Sequence, residues 1–428
     1  MLVGANPRRV AVVGGMRIPF ARGNGAYAQV GNQEMLTAAL CALVDKFGLH
    51  GQCLGEVAAG AVMKHSSQWN LTRESVLSSG LAAETPGIDL QRACGTSLEA
   101  AILVGNKIAL GQIDAGIAAG VDTVSDPPVV FPRSFQQLLL RSYRGKTAAQ
   151  RLTPWLAVRP KNLRPVLPGV IEPRTGLSMG ESTELMVKTW DISRVEQDQL
   201  ALESHQKAAA AYAAGCYADL VHGYLGLKQD NNIRSGTSME KLAALRPVFD
   251  TTGAGTLTAG NSTPMTDGAS AVLLATEAWA RERNLPVLAF LAYGKVAAVD
   301  YFVKKEGLLM APAYAVPRML AEAALRLQDI DFFEIHEAFA GQVLCTLKAW
   351  TDPAFCREKL GLDAPLGEID RARLNVYGGS IAIGHPFAAT GARIVATLAK
   401  LLDERRVKRG LISVCTAGGM GVTAILER

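Results

Sequence analysis

Apolar positions in this chain come in two textures. RVAVVGG (9–15), EVAAGAV (56–62) and DAGIAAGV (114–121) are small and apolar almost from end to end, the pattern of strands buried on both faces. Between them, EMLTAALCALVDKFG (34–48) and SLEAAILVGNKIALG (97–111) place apolar residues at helical spacing and end at Gly48 and Gly111. Strands that alternate with helices predict an α/β sheet covered on both sides.

A similar order returns near the C-terminus. GHPFAATGARIVATLAKLLDE (384–404) reads as a helix with Pro386 in its first turn, where proline is tolerated. RGLISVCTAGGMGVTAILER (409–428) reads as two strands around a glycine turn. The stretches around Cys94 and His385 thus occupy matching places, each a tight turn followed by a helix and a strand. This suggests a weak internal duplication, with no short-period repeat.

The middle, roughly 126–249, is different. From Pro127 to Arg174 it carries nine Lys or Arg and a single acid, Glu172, and its prolines predict an excursion with short helices rather than a core element. SRVEQDQLALESHQKAAAAYAAG (193–215) then predicts a long helix, with Ser193 as N-cap and Glu196 as its capping-box partner. The expected division is 1–125 plus 250–283 for a first half, 126–249 for an inserted lid over the site, and 284–428 for a second half.

Composition narrows the class. With 428 residues, 49% hydrophobic and 19% charged, the chain suits a globular protein with more than one core. The net charge of +5 is smaller than the excess in the basic segment alone, so the remainder is net negative, and no nucleic-acid partner is expected. The seven cysteines, at 41, 53, 94, 216, 345, 356 and 415, include no CxxC pair. That argues against a disulfide framework or a zinc site and for a reducing compartment. The apolar run before Met16 and Arg17 is short for a signal peptide, and no stretch reaches the roughly 18 apolar residues of a membrane span. The expected location is cytoplasmic.

Several stretches carry chemistry. In RACGTSLEA (92–100), Cys94 precedes Gly95 and a predicted helix, whose N-terminal N–H groups would lower a thiol's pKa. The residue reads either as a nucleophile or as a small buried hydrophobe. His385, between Gly384 and Pro386, stands at the mouth of a second helix, where glycines admit a ligand or another backbone. Cys415 ends a buried strand and leads into Gly418, Gly419 and Gly421; it reads as a reachable thiol or as core. His336 and Glu337 in EIHEAFAGQV (334–343) lie at a strand-to-helix transition, and the spacing is not that of a zinc-binding HExxH. TLTAGNSTPMTDGASAVLLAT (256–276) is a Gly/Ser/Thr-rich turn before an apolar strand, either a ligand cradle or a plain loop.

Together these stretches resemble the thiolases, enzymes that make or break a carbon–carbon bond next to a coenzyme A thioester. ACGTSLEA, GNSTPMTDGASAVLL, HEAFA, GGSIAIGHPFAATGAR and CTAGGMG occur in the family's order, and VGGMRIPFARGNGAY fits its N-terminal region. The likeness spans essentially the whole chain. It implies a thiolase-like α/β fold: two similar βαβαβαββ halves stacked in five α-β-α-β-α layers, with an inserted loop domain.

The resemblance also implies roles. Cys94 would attack a 3-ketoacyl-CoA and form an acyl-thioester, in a thiolysis reversible as a Claisen condensation. His385 would take its proton, and Cys415 would protonate the departing acetyl-CoA enolate and then deprotonate incoming CoA. His336, where many thiolases have Asn, would hold a water that with His385 stabilises the enolate oxygen. The His version resembles the branch that degrades longer acyl chains beside a hydratase/dehydrogenase subunit. Backbone N–H groups of Cys94 and Ala417, the latter more often Gly in the family, would form a second oxyanion hole. Met179 and Thr263 would line the pantetheine channel, with Ala338 and Phe339 near its reactive end. No metal or tightly bound cofactor is implied; CoA is a substrate, and the basic segment is a plausible entrance for its phosphates. A homodimer or homotetramer follows by analogy, as does peripheral membrane contact through FQQLLLRSY and RLTPWLAV. Three other readings share the fold. One is a biosynthetic acetoacetyl-CoA thiolase. Another is a decarboxylating ketosynthase, against which Cys415 argues. The third is a non-catalytic lipid carrier or scaffold, against which the intact reactive set argues.

Overall fold

The computed structural model describes residues 7–166 and 169–428. The opening MLVGAN of the N-terminal reading, and residues 167 and 168 of the basic segment, lie outside the described residues. Ten strands are present among the described residues: β1 (Val10–Arg17), β2 (Ala21–Arg22), β3 (Glu56–Ala59), β4 (Gly87–Asp89), β5 (Ala115–Asp122), β6 (Thr266–Thr276), β7 (Ala289–Ala298), β8 (Phe332–Ile335), β9 (Arg409–Thr416) and β10 (Met420–Glu427). Their order is β4-β3-β5-β6-β1-β7-β10-β9-β8, with β2 paired to β6 at the side.

The duplication is plain in the pairing. In the first half β3 and β5 are parallel, while β5–β6 and β6–β1 are antiparallel. In the second half β8 and β9 are parallel, while β9–β10 and β10–β7 are antiparallel. The second counterpart of β4 is reduced to one parallel bridge between Phe333 and Leu374. A short ladder, Ala11 with Phe290 and Val12 with Ala289, joins the two sheets edge to edge.

Side chains alternate across each strand and so feed different cores. Val12, Ala118 and Val272 from the first half, and Ile412, Val414 and Val422 from the second, enclose the helices Thr96–Ala109 and Thr390–Arg405. Ile117, Ala119 and Leu273 face outward onto the helix Asn32–Phe47. Leu411 and Ile425 face the helices Ala311–Glu322 and Ala340–Thr351 on the other side. Three helical layers separated by two sheets make five layers.

The two central helices meet at their first turns. A Cβ on Gly391 would lie 2.2 Å from the Leu98 nitrogen, so only glycine admits this approach. Ser97 Oγ accepts the Ala392 N–H at 2.8 Å across the same crossing. The crossing brings the N-termini of both helices to one place.

One element differs from the sequence reading. The helix expected over 384–404 is broken into a short helix Ser380–Ile383, a turn at Gly384 (φ 111°), a 3-10 turn Phe387–Ala389 and the long helix Thr390–Arg405. Pro386 therefore lies outside the first turn of the long helix. Tertiary hydrogen bonds hold this stretch out of helix: the His385 N–H donates to Thr266 Oγ1 and the Ala388 N–H to Asp122, each at 2.7 Å. The basic segment forms the short helices Arg133–Arg144 and Ala148–Leu152, while Arg194–Ala213 has the expected Ser193–Glu196 capping box. Met186, Val187, Leu200 and Ala201 of that middle region belong to the core beneath Ala311–Glu322.

Candidate active site

Cys94 sits on a strained turn ahead of its helix. Ala93, just before it, has φ 43°, a left-handed conformation that costs a non-glycine residue about 1–3 kcal/mol. Thr96 holds the turn: its Oγ1 donates to the Ala93 carbonyl at 2.7 Å and accepts the Arg92 N–H at 2.9 Å. Gly95 lies on the β9–β10 hairpin, where a Cβ would come within 2.7 Å of Val422 and 3.0 Å of Thr416. The loop of one half is thereby seated on the strand end that carries Cys415.

His385 enters from the turn before the other central helix, and His336 from the end of β8. Their rings lie 4.1 Å apart between centroids, tilted by 46°. One ligating atom each from Cys94, His336 and His385 falls within 4.8 Å of the other two. His336 Nδ1 meets Ser380 Oγ at 2.8 Å, and His385 Nδ1 meets Thr390 Oγ1 at 2.6 Å. Both Nε2 atoms are buried and have no hydrogen-bond partner, which is costly unless something else meets them. Arg393 Nη2 donates to Ser380 Oγ at 2.9 Å. The Ser380 hydroxyl hydrogen is thereby free to donate to His336 Nδ1, the arrangement that puts the ring proton of His336 on Nε2, aimed into the site.

Electrostatics follow from burial. Burial, with Arg393 nearby, lowers His385 to about 3. His336 is held well below its ordinary value by burial, by His385 and by Arg393. Burial pushes the Cys94 thiol up to about 12; the Ala417 N–H and its own N–H oppose this, and Asp122 adds to it. Cys415 is raised well above the ordinary thiol range by burial and by Cys94 beside it. This corrects the expectation of a helix-activated thiolate. Desolvation outweighs the N–H groups, so the resting site holds neutral thiols and neutral imidazoles.

Thr263, Ala338 and Phe339 lie along one seam. The Thr263 N–H donates to the Ala338 carbonyl at 3.1 Å, and Thr263 Oγ1 donates to the Ser380 carbonyl at 2.8 Å. Ser262 bridges to Phe339, and Met265 bridges to His385. Met179 opens the helix Met179–Thr189. The Ala417 N–H is the one that meets the Cys94 sulfur.

The thiolase N-terminal domain matches residues 10–278 and the thiolase C-terminal domain matches 286–428. The chain belongs to the thiolase family. A thiolase named 3-ketoacyl-CoA thiolase from Pectobacterium carotovorum subsp. carotovorum is 40% identical over 98% of this chain and 96% of its own. The 3-ketoacyl-CoA thiolase of Yersinia enterocolitica is 38% identical over 98% of this chain and 97% of its own. The crystal structure of the Bacillus anthracis acetyl-CoA acetyltransferase superposes with a TM-score of 0.81 at 27% identity, covering 99% of both chains.

Beneath the site of this thiolase lies a layer that motif reading passed over. Glu337 accepts hydrogen bonds from Ser204 Oγ (2.7 Å), Asn375 Nδ2 (2.6 Å) and the Ile381 N–H (3.2 Å). Arg393 pairs with Glu334 at 3.6 Å, both fully buried. Asp122 accepts the N–H groups of Val62, Met63 and Ala388 and so ties the His385 loop to β5. Arg393, a cation in an otherwise apolar helix start, was the visible signal. Cys94, His336 and His385 are also the one group among the described residues able to offer three metal-ligating atoms.

Proposed function

We propose that this chain is an acyltransferase that cleaves 3-ketoacyl-CoA with CoA, giving acetyl-CoA and a shortened acyl-CoA. The observation that carries the reading is the convergence of Cys94, His336 and His385 on two unpartnered Nε2 atoms. Cys94 sulfur attacks the C3 carbonyl as its proton passes to His385. The alkoxide formed there is met by the N–H groups of Cys94 and Ala417. Collapse breaks the C2–C3 bond and leaves an acyl-thioester on Cys94. The electron pair departs as the acetyl-CoA enolate, whose oxygen the two Nε2 positions would stabilise, in the family through a water held by His336. Cys415 delivers a proton to the enolate carbon and takes one from incoming CoA; the CoA thiolate then attacks the Cys94 thioester, forming the shortened acyl-CoA and expelling the Cys94 thiolate, which recovers its proton from His385. Met179, Thr263, Ala338 and Phe339 would guide pantetheine.

The test is direct. Mixing with acetyl-CoA should add an acetyl group at residue 94, detectable by peptide mass spectrometry. Cys94→Ala should lose both the adduct and thiolysis. Retained thiolysis would overturn the reading. Turnover of a malonyl thioester with loss of CO2 would favour the ketosynthase instead.

The degradative direction draws on the names of the relatives at 40% and 38% identity, and comparing thiolysis across 3-ketoacyl chain lengths with condensation of acetyl-CoA tests it. CoA is proposed as a substrate, with no tightly bound cofactor. Arg133, Arg141 and Arg144 on one helix support a phosphate entrance. Exposed Phe131, Tyr143, Trp155 and Leu156 around them support peripheral membrane contact. A homo-oligomer, a hydratase/dehydrogenase partner and a cytoplasmic location complete the proposal. Seven free cysteines fit a reducing compartment, and no helix among the described residues is long and apolar enough to cross a membrane.

A further inference from the structure

The one acid of the basic segment is not on its surface. Glu172 is only 5% exposed. One carboxylate oxygen accepts the Gly418 N–H at 2.6 Å, and the other accepts the Tyr301 hydroxyl at 3.0 Å. Gly418 follows Ala417 in the turn between β9 and β10. Tyr301 packs on the next residue, where a Cβ on Gly419 would lie 2.5 Å from its ring. Glu172 also opens a hairpin of its own. Its carbonyl accepts the Gly176 N–H at 2.8 Å and its N–H donates to the Leu177 carbonyl at 2.9 Å. Ser178 then caps the helix that begins at Met179.

We infer that Glu172 is a positioning residue whose carboxylate, clamped on the Gly418 N–H, aims the neighbouring Ala417 N–H at the oxyanion formed on Cys94. The turn needs such a clamp. Gly418 and Gly419 have φ 78° and 70°, and two consecutive glycines are free to reorient a peptide plane. A carboxylate grips an N–H more strongly than a neutral acceptor does, and at this depth water is a poor substitute. The same side chain links the basic segment, the start of the Met179 helix and the oxyanion turn, so the entrance and the reacting centre are held in register. Glu172 touches none of the reacting atoms.

The inference rests on the thiolase reading, and the test separates the two. Acetylation of Cys94 by acetyl-CoA passes through an oxyanion; alkylation of the same thiol by iodoacetamide does not. Glu172→Ala should slow acetylation about 10- to 100-fold, the scale of a small misplacement of a catalytic donor. Alkylation should stay within about twofold of wild type, because the thiol itself is untouched. Glu172→Gln keeps an acceptor oxygen and should restore most of the acetylation rate. Wild-type acetylation in Glu172→Ala overturns the inference. So does an equal fall in both reactions, or a Gln variant as slow as Ala. A wild-type enzyme that is never acetylated overturns the thiolase reading itself.

Discussion

Gly391→Ala is the sharpest perturbation of the arrangement that brings the two halves of the site together. The added Cβ would lie 2.2 Å from the Leu98 nitrogen, 2.8 Å from its Cβ and 2.9 Å from its Cα, against 3.4 Å or more for ordinary contact. Two of these three atoms are backbone, so the helices must part by about 1 Å at the crossing. Overpacking of this kind costs about 1–3 kcal/mol, and the better helix propensity of Ala returns at most about 1 kcal/mol. A net loss of about 1–2 kcal/mol is expected in urea unfolding. The kinetic effect should be larger. Cys94 and His385 precede the two helices, and a displacement of about 1 Å between reacting groups costs about 10²-fold in rate. Gly105→Ala is the control: it adds the same methyl to the Cys94 helix but meets the side-chain ends of Leu291 (3.1 Å) and Val10 (3.5 Å), which can give. It should be neutral or mildly stabilising with unchanged kcat. If Gly391→Ala unfolds and turns over like wild type, the crossing does not set the geometry of the site.

Other outcomes follow from the same contacts. With His385 lowered to about 3, kcat/KM should show no one-proton acid limb near pH 6.5, the ordinary histidine value; such a limb would contradict the burial argument. The sign for folding is the same. A depressed pKa stabilises fully above pH ~6.5 and loses that contribution as pH falls toward 3, so acid should narrow the stability gap between wild type and His385→Asn. Glu337→Gln keeps one acceptor oxygen and turns its amide NH2 either on Asn375 or on Ser204 and the Ile381 N–H, and should cost about 1–3 kcal/mol in urea unfolding. Ser380→Ala removes the hydroxyl between His336 and Arg393, so kcat should fall while KM for the ketoacyl-CoA changes little; a change in KM alone would reject the tautomer assignment.

The chain order of strands and helices was legible because small apolar runs and helical spacing are local signals. Val10–Arg17, Thr96–Ala109 and Ala115–Asp122 lie where periodicity places them. The stretch 384–404 was not legible. Its helical pattern is real, but the backbone leaves the helix at Gly384 (φ 111°) and Pro386 (ψ 95°), in a turn that Asp122 and Thr266, far away in sequence, hold through its N–H groups. The same limit applies to the site. Cys94, His336 and His385 announce themselves through glycines and position. Their charge states do not, because the depth of burial that raises one and lowers the others belongs to the assembled layers. Glu172 stood out by composition as a lone acid, yet nothing local told that it reaches a glycine turn 246 residues further along the chain.

The matching sheets also constrain how such a protein could have come into being. Each half lends one helix to a layer that both sheets must cover, so neither half on its own could shield its inner face from water. An ancestor the size of one half would have needed a twin pressed against it, with two equivalent helix ends meeting on a symmetry axis. Fusion into one polypeptide would have freed those ends to diverge, one toward a thiol and the other toward an imidazole.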